Sequence, residues 1–242
     1  MRIALMLVAI APLFGGDFET FTDNSLNYTQ RTEGCLGLRG NRAPEVLDAM
    51  RAALENSHLQ GCAGVNLRVA GAADRLVEAA VKSADPGARA VAVRELGTMQ
   101  RAEYLPVLRK AAEDVELIVA SNAVEGLVRY ENHASAPELR EIALMGGVMT
   151  ALALDPLVDW GDAAAIGIAR KLILREAPGD LLVGIRVVGL MGDASDLPKL
   201  RELGKNDMAM GSGSRGFGLM PAISLARAAK TAVEAIEKRA GR

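Results

Sequence analysis

The sequence predicts an all-α solenoid of about five to six stacked helical hairpins, and three observations carry the prediction. Apolar residues recur every 31 positions: Val46, Val77, Leu108 and Leu139 form one series, and Ala49, Ala80, Ala111 and Ile142 form a second. Shorter series at the same interval join Cys62 to Val93 and Val124, and Val65 to Leu96 and Leu127. Prolines keep this register at Pro44, Pro106 and Pro137, with Pro198 one residue short of two further periods. A fixed period of this length denotes stacked supersecondary units that bury their apolar faces against one another. Composition points the same way, since 50% of the 242 residues are hydrophobic but only 3% are aromatic. Such a core is built from Ala, Leu, Val and Ile, which suits closely packed helices.

Within each unit the apolar spacing is helical. First helices are expected at Pro44–Glu55, Asp74–Ser83, Tyr104–Glu113 and Pro137–Met145, with partners at Leu59–Ala70, Ala88–Met99 and Val115–Tyr130. In the last of these, Val115, Ile118, Val119, Ala123, Leu127 and Val128 are read as one inward stripe. Proline sits in the first turn of several first helices, where its missing N–H costs nothing. The segments Gly71-Ala72 and Asp85-Pro86-Gly87 supply chain reversals. The pattern resumes at Ala163–Arg175, Leu181–Met191 and Asp196–Leu203. Pro221–Arg239 reads as a terminal capping helix, with Ile223, Ala226, Ala229, Val233 and Ile236 on one face and Gly241 beyond its end.

These segments resemble HEAT-like repeats, including those of bilin-lyase-type modules. The resemblance is carried by Asp85-Pro86-Gly87-Ala88-Arg89 through Val93-Arg94-Glu95-Leu96-Gly97, and by Val188-Gly189-Leu190-Met191-Gly192-Asp193 leading into Leu197-Pro198-Lys199-Leu200. It spans about residues 43–145 and 163–204, and it implies an architecture rather than an activity. The turn Asp and helix Arg of the family are present as Asp85 and Arg89, whereas the next unit has Glu116 and Ala120 in their place. In such arrays the second helices form a separate layer that commonly carries the binding face. The resemblance therefore makes Arg94, Glu95, Glu125 and Arg129, which stand beside the core stripe, candidates for a contact surface.

The organisation read from the sequence is a signal peptide over residues 1–16, an N-terminal cap over 17–42, a first array over 43–145, an apolar insertion over 146–162 and a second array over 163–242. The run Ile3–Leu13 has the length of a signal-peptide core and is too short to span a bilayer. A periplasmic or secreted protein is expected, with a cytoplasmic one as the alternative. In an oxidising compartment Cys35 and Cys62 are available for a disulfide, while Cys62 also reads as a small core residue at its repeat position. The segment Met145–Leu154 is apolar without a clean helical period, and Asp155-Pro156 stops it.

Catalytic inventories are sparse. The two histidines, His58 and His133, fall in hairpin turns without a neighbouring Glu, whereas iron-dependent HEAT-like hydroxylases use repeated His-Glu pairs. Nothing suggests a metal or another cofactor, and no G-x-S-x-G elbow is present. Gly211-Ser212-Gly213-Ser214-Arg215-Gly216 spells G-x-G-x-x-G but lacks the preceding strand that dinucleotide binding needs. With 28 basic and 30 acidic residues, no net positive charge favours nucleic acid. Arg109, Arg140 and Arg201, with Lys171 at the intervening step, form a basic series close to Glu113, Glu141 and Glu202, so a mutually neutralised face is expected. Trp160 is expected to be buried between the arrays. Together these readings predict a non-enzymatic scaffold for a protein partner, without a membrane span though with peripheral membrane contact left open. A lyase or lyase-accessory subunit of the bilin-lyase type is the alternative.

Overall fold

A computed structural model describes residues 16–205 and 224–241, so the expected signal peptide, the G-x-G-x-x-G segment and the start of the capping helix at Pro221 lie outside the described residues. Among those residues there are fourteen α-helices and no β-strand. The chain divides into two compact units inside one helix, between Gly126 and Leu127.

The first unit opens with α1 (Asp17–Thr22) and α2 (Tyr28–Gly37), which pack on each other and, through α2, on the first repeat. Asn27 starts α2 with a reciprocal capping box, its side chain accepting from the Gln30 N–H while the Gln30 side chain accepts from the Asn27 N–H. Three helix pairs follow: α3 (Pro44–Ala53) with α4 (Gln60–Ala70), α5 (Ala73–Lys82) with α6 (Pro86–Met99), and α7 (Leu105–Ala111) with α8 (Leu117–Val128). First helices pack on first helices, α3 on α5 and α5 on α7, while α4 packs on α6, giving two layers. Asp85 caps α6 by accepting from the Ala88 N–H, with Pro86 in the first turn.

The second unit contains α9 (Ala136–Met145), α10 (Thr150–Asp159), α11 (Ala164–Leu172), α12 (Pro178–Met191), α13 (Leu197–Leu203) and α14 (Leu225–Ala240). Here α9 packs on α11, and the second helices α10, α12 and α14 pack in sequence.

The expected insertion at 146–162 is corrected by α10, a second helix packed on α9 that runs through Pro156 to Asp159, so Asp155-Pro156 does not stop the segment. Its buried residues Met149, Ala153, Leu154 and Leu157 do follow a helical period. The outer face, with Ala151 and the exposed Leu152, is also apolar, so no polar stripe marks the helix in the sequence. The 31-residue register fits from residue 88 onward, since Ala88 and Val119, Ala92 and Ala123, and Leu96 and Leu127 are all buried. It slips in the first repeat, where the buried partners of Ala92 and Leu96 are Ala63 and Leu67, 29 residues earlier. That shift takes Cys62 off the core position. Of the expected inward stripe, Val115 lies before α8 and is exposed; within α8, Ile118 is exposed and Ala120 and Val124 are buried instead, so the stripe is rotated from its expected setting.

The helix arginines join successive hairpins. Arg89 donates two hydrogen bonds to the Asp114 carboxylate (2.8 and 3.0 Å) and one each to the Ser83 and Ala84 carbonyls. In the second unit Arg140 binds Asp162 bidentately, and Arg170 reaches Asp193 and Asp196. Asp162 and Asp196 sit at the turn that opens the next hairpin, and Asp114 at the turn inside it, between α7 and α8; each also accepts a backbone N–H, Asp114 from Glu116, Asp162 from Ala164 and Asp196 from Asp193. The arginine bonds hold the Asp114, Asp162 and Asp196 carboxyls below their ordinary values. The rung of the expected ladder is thus Arg89 to Asp114 in the turn within the following hairpin, with Asp85 serving as a helix cap.

Candidate functional site

The residues proposed from the sequence as a binding face separate in the structure. Arg94, Glu125 and Arg129 do reach the surface of α6, of α8 and of the turn beyond it. Glu95 does not: it is 3% exposed, with Arg68 donating at 2.7 Å to one carboxylate oxygen and Arg94 at 2.8 Å to the other. It is removed from the candidate contact surface. The physical reason is that α6 is buried around most of its circumference, from Ala90 to Val93 as well as along Leu96 and Gly97, so a residue beside the stripe is still inside.

Cys35 and Cys62 are joined by a disulfide (S–S 2.10 Å) that ties α2 to α4. The buried Asn66 side chain donates to the Cys35 carbonyl at 2.6 Å, which satisfies a backbone acceptor beside the bond. Both histidines are exposed and stacked on aromatic rings, His58 on Tyr28 (4.0 Å between centroids) and His133 on Trp160 (4.3 Å). Trp160 is half-buried under that contact. Among the described residues no group of three or more His, Cys, Asp or Glu side chains comes together as a metal site. The basic series is paired: Arg109 with Glu113, Arg140 with Asp162 and Arg201 with Glu237. Two of those three carboxylates were not the expected neighbours, because the arginines reach between elements rather than along one helix.

An apolar surface open to a ligand lies in the second unit, on its layer of second helices. There a groove of about 710 Å³ runs between α12 and α14, with α10 at one side. Its floor is made by small residues, Gly189 of α12 and Ala228, Ala232 and Ala235 of α14. A Cβ at Gly189 would lie 2.9 Å from the Ala232 Cβ, so the missing side chain is what lets the two helices approach. Leu182, Val183 and the 55% exposed Leu190 form an apolar wall. Arginines stand at the rim. Arg186 pairs with Asp155 of α10, and Arg239 donates to the Gly189 and Gly192 carbonyls (2.7 and 2.9 Å). Arg227 forms no ion pair with a described residue. Reading the sequence did not find this site. The signal available was the second stripe of α14, Arg227, Thr231 and Ala235 at four-residue spacing, alongside the core stripe of Leu225, Ala229, Ala232 and Ile236.

No helix among the described residues is long and apolar enough to cross a membrane. No curated protein matches the chain. Among solved structures, the chain resembles human deoxyhypusine hydroxylase in complex with glycerol, at 16% identity and a TM-score of 0.39, over 93% of this chain and 96% of that one. That finding corrects the expectation that the chain is not an enzyme: the protein it resembles is an enzyme by name, so the exclusion of catalysis is withdrawn. A likeness at this TM-score assigns no activity to this chain. The family model of HEAT repeats matches residues 73–148. That stretch, from α5 to the turn after α9, is a set of HEAT repeats.

Proposed function

We propose that this chain is a protein-binding scaffold that uses its second helices as the contact layer. The observation that carries the reading is the apolar groove of α10, α12 and α14, with Leu190 exposed beside a floor of small side chains. Exposed apolar surface of this kind, rimmed by polar groups, marks interaction sites. The first helices offer less: their outward residues are chiefly charged, and Arg140 and Arg170 are engaged in joining hairpins. Photo-crosslinking in the native host tests the assignment, with a photoreactive residue placed singly at Arg94 and Leu190 on second helices and at Val81 and Lys171 on first helices. A protein adduct from the second-helix positions is expected. Adducts confined to Val81 and Lys171 would reverse the assignment of the layers.

We further propose that the protein works outside the reducing cytoplasm. Support comes from the Cys35–Cys62 bond, since structural disulfides persist in oxidising compartments. Mass mapping of the protein isolated from its host after thiol blocking tests this. A bonded pair is expected, and two alkylated thiols would count against the location.

A further inference from the structure

Resting on the second-helix reading above, we infer that the α10–α12–α14 groove receives one amphipathic helix of a partner protein whose apolar face is flanked by carboxylates. The dimensions fit a helix. The lining stripe of α14 runs from Arg227 to Arg239, and twelve steps at the helical rise span about 18 Å, some three turns. A helix laid into such a groove anchors itself through apolar side chains at i, i+3, i+4 and i+7. The floor suits those anchors. Gly189 and Ala232 bring α12 and α14 together without filling the space above them, so branched side chains find about 710 Å³ between the walls.

Charge selects the partner. Three arginines and a single acid, Asp155, line the groove. Arg186 neutralises that acid, while Arg239 is held by neutral carbonyls and keeps its full charge. Arg227 has no carboxylate partner among the described residues. Among the described residues, the rim therefore carries two uncompensated positive charges along α14, one near each end of the groove. A helix with glutamates beside its leucine face places carboxylates against both, in the charge-assisted geometry that guanidinium favours. A lysine-flanked helix meets like charge at the same two points.

Two designed 18-residue peptides serve as probes, one with a leucine stripe flanked by glutamates and one identical but for lysines at those positions. Their binding to the full chain is followed by fluorescence anisotropy. The glutamate peptide should bind, more weakly as salt is raised, and the lysine peptide should bind at least about tenfold more weakly. Arg227→Glu should remove or invert that preference, and Leu190→Arg should abolish binding of either peptide. Both side chains are exposed, so circular dichroism should show unchanged helix content. Equal binding of the two peptides overturns the proposal, as does an Arg227→Glu chain that keeps the original preference. It is also overturned if sodium oleate saturates the groove while neither peptide binds, or if the chain self-associates through this face and Arg227→Glu or Leu190→Arg dissociates it. Should no peptide bind while crosslinks still map to second helices, the helix proposal fails and the broader reading stands. Crosslinks confined to first helices remove the broader reading itself.

Discussion

Substituting Gly97 by alanine should destabilise the first unit, although alanine is the better helix former. Gly97 of α6 faces Gly126 of α8, and a Cβ added to it would lie 2.6 Å from the Gly126 Cα and 3.4 Å from its carbonyl carbon. The obstacle is backbone, so no side chain can rotate away and the two helices must separate. Overpacking of this kind costs about 1–3 kcal/mol, while the intrinsic helical gain of alanine over glycine returns about 0.5–1 kcal/mol. The balance is a net loss of up to about 2.5 kcal/mol, and because the obstacle is backbone the upper part of that range, about 1–2.5 kcal/mol, is expected; for a chain of this size it lowers Tm by about 2–10 °C. Gly167 of α11 is the control, because it is exposed and a Cβ there meets nothing within 4 Å. Gly167→Ala should stabilise by about 0.5–1 kcal/mol. Urea unfolding followed by circular dichroism measures both. A Gly97→Ala chain as stable as the parent, or one stabilised like Gly167→Ala, would refute the close approach of α6 and α8.

Removing the buried carboxylate with Glu95→Ala leaves the partly exposed Arg68 and Arg94 without their shared partner and should cost about 1.5–3 kcal/mol in urea unfolding, whereas Arg94→Ala, which leaves Glu95 paired with Arg68, should cost less than about 1 kcal/mol. Similar losses for the two variants would mean that Glu95 is not buried in the ion pair. Reducing the Cys35–Cys62 bond, which closes a loop across 27 residues, should lower stability by roughly 3.5 kcal/mol by the chain-entropy relation. An unchanged Tm in dithiothreitol contradicts it. The folded pKa values of Asp114, Asp162 and Asp196 are depressed, so their contribution is complete above the unfolded carboxylate value and is lost as pH falls through the folded values. Stability should thus be level down to about pH 5 and decline below about pH 4, with a shallower decline in Arg170→Ala; a decline of the same depth in that variant would detach Asp196 from the effect.

The repeat was legible in the sequence because successive hairpins present equivalent residues to one core. Leu96 and Leu127, like Leu108 and Leu139, are buried at equivalent positions 31 residues apart. The first repeat misleads because its hairpin is two residues shorter, which places Leu67 rather than Val65 opposite Leu96. Helix α10 was hidden by its chemistry: a helix with a core on one side and a groove on the other has no polar stripe to give the period away. Glu95 failed for a related reason. Adjacency to an apolar stripe implies exposure only where one side of the helix is free, and α6 lies against α4, α5 and α7. The arginine joints were only half legible, since Arg140 stands in the 31-residue basic series and Arg89 at the helix position of the resemblance, but Arg170 is one residue off the series and each carboxylate comes from a turn 22 to 26 residues onward. The groove depends on Leu182, Leu190, Ala228 and Arg227, four ordinary residues that acquire a common meaning only when α12 and α14 lie side by side.

Which helix layer meets the partner decides the function proposed for this chain. Hydrogen–deuterium exchange of the full chain, alone and with the partner captured by crosslinking, reads that layer peptide by peptide. Slowed exchange is predicted in α12 and α14, with α9, α11 and α13 unchanged apart from their ends. Protection concentrated on α9, α11 and α13, with α12 and α14 exchanging as in the free chain, would contradict it.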